Sequence, residues 1–227
     1  MPGYKESQPK EEVEQVKPLE ESQRQLEREL TPVELREKLR DPNFLPTHEQ
    51  ITKSFNSWEE WNQFCFDKEN PVFEFLNEEY LNAFADYFVG KIQEHGASEK
   101  KPLVILEIGA GNGRLSNFLQ QKLEEKAPGQ TKVVATDSGT WALNNDFPVE
   151  QLKHDEAMEK YKPGIVVFSW MPFEEDSSKG IRKVDSVQEY ILIGEANGGC
   201  CGDGWETWGQ SWSRDEDDKD DEEIPPY

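Results

Sequence analysis

The sequence is poor in the residues that cross-link small secreted domains or bind zinc. Its three cysteines are an odd number and include the adjacent pair Cys200 and Cys201, and its three histidines are scattered along the chain. It contains neither a Cys-x-x-Cys pair nor a cluster of histidine and cysteine. We therefore expect no disulfide framework and no metal site.

Long apolar runs are absent as well. No stretch reaches the roughly 20 residues needed to cross a bilayer, and the first residues lack the charged-then-apolar pattern of a secretory signal. With no framework of disulfides either, the sequence predicts a soluble cytoplasmic protein without a membrane partner.

Positive charge is scarce relative to negative charge. Among 227 residues, 25 are lysine or arginine and 47 are aspartate or glutamate, which gives a net charge of −22. This charge repels phosphate groups and disfavours nucleic acid as a partner. The hydrophobic content of 34% is low for a chain that is packed throughout, so we expect parts of it to be disordered.

Composition divides the chain into four regions. The expected division is a charged, largely disordered region over 1–50, an aromatic-rich helical lead-in over 51–100, an α/β core over 101–213, and an acidic, disordered tail over 214–227. One short helix is predicted near 31–40 within the first region. Its signals are a threonine cap at Thr31, Pro32 at the first helical position and Glu34 three residues after the cap. We expect this helix to dock only weakly.

The most informative stretch covers residues 103–115. Residues 103–106 are apolar and predict a buried strand, and three alternate glycines follow at Gly109, Gly111 and Gly113. Apolar residues then recur at the spacing of one helix face. A strand, a glycine turn and a helix in this order form the opening of a nucleotide-binding α/β unit.

The pattern Glu-x-Gly-x-Gly-x-Gly, from Glu107 to Gly113, resembles the first motif of the class I S-adenosylmethionine-dependent methyltransferases. In that family the glycine loop holds the methionine part of the cofactor, and the acidic residue helps to fix its amino end. The resemblance therefore implies that S-adenosyl-L-methionine is bound by Glu107, Gly109, Ala110, Gly111 and Gly113. A dinucleotide fingerprint would instead have its third glycine at position 114, which is Arg114 here.

A second motif follows after one intervening helix. Residues 133–135 form another short apolar run, and Thr136 and Asp137 come next. An acidic residue that ends the second strand of such folds accepts hydrogen bonds from ribose hydroxyls. We therefore expect Asp137, with its neighbour Ser138, to bind the cofactor, although a turn aspartate is an alternative. The resemblance to the methyltransferase cofactor site covers residues 103–141.

Three further strands are predicted over 149–152, 164–168 and 190–193, with a short helix over 155–161. In the family, a residue after the third strand contacts adenine, which implies this role for Asp155. The end of the fourth strand lies beside the methyl donor. Amine-directed members often have Asp/Asn/Ser-Pro-Pro-aromatic there, and Ser169 and Pro172 resemble that sequence, whereas Trp170 departs from it. These three residues are the acceptor-side candidates, with a preference for nitrogen and no identified catalytic base.

The expected fold is a Rossmann-like methyltransferase sheet with strand order 3-2-1-4-5 and helices on both faces. No sequence after Glu195 has the length or alternation of the final antiparallel hairpin of this family. The expectation is therefore a fragment or a fold without that hairpin, whose exposed fifth strand is covered by the tryptophan-rich segment after residue 204.

The predicted function is methyl transfer from S-adenosylmethionine to an unidentified acceptor on a protein or a small molecule. Two alternatives stay open. One is a non-catalytic module that keeps the methyltransferase fold, and the other is a nicotinamide-dependent oxidoreductase.

Overall fold

The structure is a computed structural model that describes residues 29–68, 70–140, 146–195 and 199–209. Within these ranges the chain forms short N-terminal helices, one long helix, and then alternating strands and helices. In the described residues, four helices precede the sheet: α1 (Pro32–Lys38), α2 (His48–Lys53), α3 (Trp58–Cys65) and α4 (Glu78–Glu94). The alternating part consists of β1 (Leu103–Ile108), α5 (Arg114–Lys126), β2 (Thr131–Asp137), β3 (Glu150–Gln151), α6 (His154–Tyr161), β4 (Ile165–Ser169), α7 (Ser178–Ile181) and β5 (Glu189–Ile193).

The five strands form one parallel sheet in the order β3-β2-β1-β4-β5, which confirms the predicted order. The chain moves outward from β1 to β3 and then returns to place β4 on the other side of β1. This reversal creates a crevice at the carboxyl ends of β1 and β4, where parallel α/β sheets bind their ligands.

Helices cover both faces of the sheet, as the continuous apolar runs in β1 and β4 predict. On one face, Ile105 and Val167 pack with Phe88 of α4 and Leu119 of α5. On the other, Leu106 and Phe168 are among the residues that pack with Met158 of α6 and Ile181 of α7. Because successive side chains of a strand point to opposite faces, each strand contributes to both clusters.

The first helix packs on the lead-in, and the expectation that it docks weakly remains a prediction. Its predicted threonine cap is confirmed, with Thr31 and Glu34 forming a capping box. Leu35 is completely buried, and the Arg36 guanidinium donates to the carbonyl oxygens of Phe64 and Asn70, both at 2.6 Å. Residues 29–50, assigned to a largely disordered region, thus form helices that pack on the lead-in, whereas residues 1–28 lie outside the described residues.

Arg114, the first residue of α5, connects this N-terminal region to the core. Its guanidinium donates to the carbonyl oxygens of Leu39 at 2.5 Å and Phe44 at 2.8 Å, and it lies over the Phe118 ring at 4.7 Å. The side chain is buried, and burial lowers its pKa to about 10. The position that would hold the third glycine of a dinucleotide loop therefore carries a structural cation.

The segment after β5 is hydrogen-bonded to the loop after β4, and its role as a cover for the open edge of β5 remains a prediction. The Gly202 amide donates to the Met171 carbonyl at 3.0 Å, and the Trp208 indole donates to the Cys201 carbonyl at 2.7 Å. The buried Thr207 hydroxyl lies 3.1 Å from Oδ1 of Asp176. The segment is held there because its polar groups meet those of the loop after β4. The predicted acidic tail lies outside the described residues.

Within the described ranges, none of the helices combines the length and the apolar content that crossing a bilayer requires.

Candidate functional site

The glycine loop joins β1 to α5 at the carboxyl edge of the sheet. Gly109, Gly111 and Gly113 all have positive φ, at 63°, 56° and 80°. At Gly109 a Cβ atom would lie 2.5 Å from the Phe168 ring, and at Gly113 it would lie 2.4 Å from Val149 Cγ2. Glycine is therefore required at both positions by the backbone conformation and by the close approach of a neighbouring side chain.

Asp137 ends β2 and is hydrogen-bonded to the glycine loop. Its Oδ2 accepts from the Gly111 amide at 3.0 Å, and its Oδ1 accepts from the Gly139 amide at 2.8 Å. Each carboxylate oxygen can accept two hydrogen bonds, so each has a lone pair left for another donor. The carboxylate can therefore hold the loop and still receive two hydroxyl groups of a ribose.

Glu107 lies beneath the loop, where it is buried. Its Oε2 accepts from the Ser116 amide at 3.0 Å and from the Ser116 hydroxyl at 2.6 Å, so it satisfies an amide in the first turn of α5. Burial, with smaller contributions from the nearby Glu74 and Asp137, raises the pKa of Glu107 to about 8, against the lowering effect of its hydrogen bonds from Ser116. The binding of a cofactor amino group by Glu107 remains a prediction.

The raised pKa of Glu107 makes stability depend on pH. Between its ordinary value of 4.5 and about 8, the folded state holds a proton that the unfolded state has lost. The stability that Glu107 contributes to the folded state is therefore fully present below pH 4.5 and is lost as the pH rises through about 8. We expect Glu107→Gln, which stays neutral, to gain stability relative to the wild type as the pH rises. Melting temperatures from about pH 5 to about pH 9 measure this.

Glu99→Gln removes an exposed carboxylate and is the control for the pH experiment. Its melting temperature should follow that of the wild type across the range. A constant difference between Glu107→Gln and the wild type would show that Glu107 does not titrate between the two values.

The acceptor-side candidates lie at the end of β4. The Ser169 hydroxyl donates to Oε2 of Glu74 at 2.8 Å. Trp170 has a φ of 55°, and its amide donates to the carbonyl of Ile193 in β5 at 2.8 Å. Pro172 follows in the loop and is half-buried. Of the three, Ser169 has its polar side chain in the crevice between the lead-in and β4.

Sequence reasoning missed Glu74 and Tyr80, which bring further polar groups to the crevice. Glu74 is half-buried and accepts hydrogen bonds from Ser169 and from the Tyr80 hydroxyl. Burial is the main cause that raises the pKa of both side chains. The one available signal was a lone glutamate among apolar residues in the lead-in, between Phe73 and Phe75.

The other predicted cofactor residues lie around the loop or farther away. Ala110 donates its amide to the Thr136 carbonyl at 3.0 Å and thus anchors the loop to β2. The Ser138 hydroxyl lies 2.8 Å from the Thr140 hydroxyl. Asp155 is at the start of α6, with a side chain that is 79% exposed and 3.1 Å from Nε2 of His154. Its contact with adenine remains a prediction.

The crevice therefore combines a glycine loop, a carboxylate that can accept a diol, and a hydroxyl–carboxylate pair on the neighbouring strand. Compared with protein families and with curated proteins, the sequence matches none of either. The function is therefore inferred from the chemistry of the crevice.

Proposed function

We propose that this protein binds S-adenosylmethionine at the carboxyl ends of β1 and β2 and transfers its methyl group to an acceptor beside β4. The observation that carries the proposal is the hydrogen bond between Asp137 and the Gly111 amide. It makes the glycine loop and the diol-accepting carboxylate one preassembled unit. A nucleoside with a charged amino-acid arm has the shape and polarity for such a unit.

The residues of the crevice fit this cofactor. Asp137 keeps two lone pairs for ribose hydroxyls, and the glycine loop presents bare backbone. The proposed cofactor residues are Glu107, Gly109, Ala110, Gly111, Gly113, Asp137, Ser138 and Asp155. Ser169, Trp170 and Pro172 face the acceptor, whose identity as a protein or a small molecule is open. S-adenosylmethionine supplies a reactive methyl group, so these side chains have to align the acceptor and exclude water.

Arg114 argues against the oxidoreductase alternative. A dinucleotide loop needs a third glycine so that the helix packs closely on the strand. Here that position holds a buried arginine that bonds to the carbonyl oxygens of Leu39 and Phe44. The non-catalytic alternative shares the cofactor site and differs only in turnover.

We expect Asp137→Ala to weaken S-adenosylmethionine binding by at least about tenfold, or roughly 1.4 kcal/mol, because two hydroxyl groups lose a charged acceptor. Equilibrium dialysis with the wild type and the variant measures the effect. Asp137→Asn removes the charge but keeps one oxygen for the Gly111 amide, while its NH2 group would face the Gly139 amide. As a control for the change of net charge, Asp146→Asn removes the charge of a residue that forms an ion pair with Arg40.

Equal binding by the wild type and Asp137→Ala would contradict the assignment of Asp137. Titration of the wild type with NADH tests the oxidoreductase alternative in the same format. Binding of S-adenosylmethionine without methylation of any offered protein or metabolite would favour the non-catalytic module.

A further inference from the structure

Glu74 reaches the crevice from a part of the chain that has no motif. Residues 71–76 connect α3 to α4 without regular secondary structure. Their side chains diverge, because Phe75 stacks on Phe64 with ring centroids 5.7 Å apart, whereas Glu74 meets Ser169 at 2.8 Å. Leu76 is buried in the core and fixes the end of the segment. The lead-in thus places one carboxylate at the carboxyl end of β4.

This carboxylate lies near Glu107, and among the described residues no ion pair reaches it. Glu74 and Glu107 are close enough for Glu74 to raise the pKa of Glu107, and both charges act on Tyr80. In the described part of the chain, neither glutamate forms an ion pair with a lysine or an arginine. Burial disfavours the charged form of both groups, and a positively charged group beside Glu74 would favour its ionised form.

We propose that Glu74 binds the ammonium group of an amine acceptor, next to the glycine loop and the end of β4, and takes the proton that the nitrogen must lose before it attacks the methyl group. The inference rests on the proposed function, since it assumes that the loop holds the methyl donor. It narrows the acceptor class from any nucleophile to a cationic amine, and it assigns the recognition to a residue outside the family motifs.

The chemistry of Glu74 suits an ammonium group better than a hydroxyl. A carboxylate only accepts hydrogen bonds, and those from Ser169 and Tyr80 leave lone pairs for further donors. An ammonium group brings several donors and a full charge, which makes the bonds shorter and stronger than those from a neutral hydroxyl. The net charge of −22 also attracts cationic acceptors toward the protein surface.

Two ligands of known structure test the proposal without knowledge of the acceptor. Sinefungin has an amine-bearing carbon in place of the methylated sulfur, and S-adenosylhomocysteine has an uncharged sulfur there. Calorimetry should show that Glu74→Gln loses about tenfold in affinity for sinefungin and less than about twofold for S-adenosylhomocysteine. Glu74→Asp retains the charge and should keep most of the preference for sinefungin. Glu59→Gln, at an exposed position of α3, should bind both ligands as the wild type does.

The outcomes separate this inference from the proposed function. Binding of neither ligand by the wild type overturns both. If Glu74→Gln loses affinity equally for the two ligands, the assignment of Glu74 to the acceptor side is overturned. The substitution would then act through the glycine loop or through the amino-acid arm of the ligand. Unchanged binding of both ligands removes Glu74 from recognition altogether. The glutamine keeps an oxygen for Ser169, and a thermal melt confirms that the variant is folded.

Discussion

Replacing Arg114 with alanine is expected to lower the free energy of unfolding by about 2–4 kcal/mol. The guanidinium donates to the carbonyl oxygens of Leu39 and Phe44, so its removal leaves two acceptors without their charged donor. The side chain also packs on Phe118, and that contact is lost as well. The cost of burying the cation, seen in its lowered pKa, offsets part of this contribution. Urea denaturation of the two proteins measures the difference.

Two further substitutions at position 114 divide the effect into its parts. Arg114→Met keeps most of the packing and loses the donors, whereas Arg114→Lys keeps the charge but not the forked geometry. We expect the free energies of unfolding of both variants to lie between those of the wild type and the alanine variant. If Arg114→Ala unfolds at the same urea concentration as the wild type, the N-terminal helices do not depend on this residue.

Replacing Gly113 with alanine is expected to cost about 2–5 kcal/mol of stability. A φ of 80° is unfavourable for an L-residue by roughly 1–2 kcal/mol. The new Cβ would also lie 2.4 Å from Val149 Cγ2, and overpacking of this kind costs about 1–3 kcal/mol. Gly113 is the N-cap of α5, so the distortion would reach the first turn of that helix. Thermal and urea unfolding measure the loss.

Gly90 provides a matched control for the same substitution. It lies inside α4 with no atom within 4 Å of the Cβ position, and its backbone is helical. Gly90→Ala should therefore raise stability by about 0.5–1 kcal/mol. The double variant Gly113→Ala with Val149→Ala removes the clash but not the unfavourable φ, so it should recover only part of the loss. Full recovery would mean that the backbone conformation at position 113 contributes nothing.

The sheet could be predicted because its signals are local. The run that forms β1 is apolar at consecutive positions, as a strand buried on both faces must be, and the glycines fix where it turns. The end of β2 at Asp137 could be predicted for the same reason, since an acidic residue shortly after an apolar run marks the carboxyl end of a parallel strand.

The contacts that complete the crevice could not be predicted, because they depend on the path of the chain between distant segments. Glu74 meets Ser169 across 95 residues, and neither residue's neighbours indicate the pairing. Arg36 bonds to backbone carbonyl oxygens, which every residue has, so its partners leave no trace in the sequence. The position of Thr207 likewise follows from polar groups in the loop after β4.

The separation of these partners along the chain also sets the order in which the protein can fold during synthesis. Leu39 and Phe44 leave the ribosome 75 and 70 residues before Arg114 does, and Glu74 leaves it 95 residues before Ser169. Closing loops of this length costs entropy that the early contacts cannot repay. The N-terminal helices therefore complete their packing only after Arg114 has been made, and Glu74 meets its partner only after β4 has been made. Until then the nascent chain carries an exposed aromatic lead-in, the state in which chaperones would meet it.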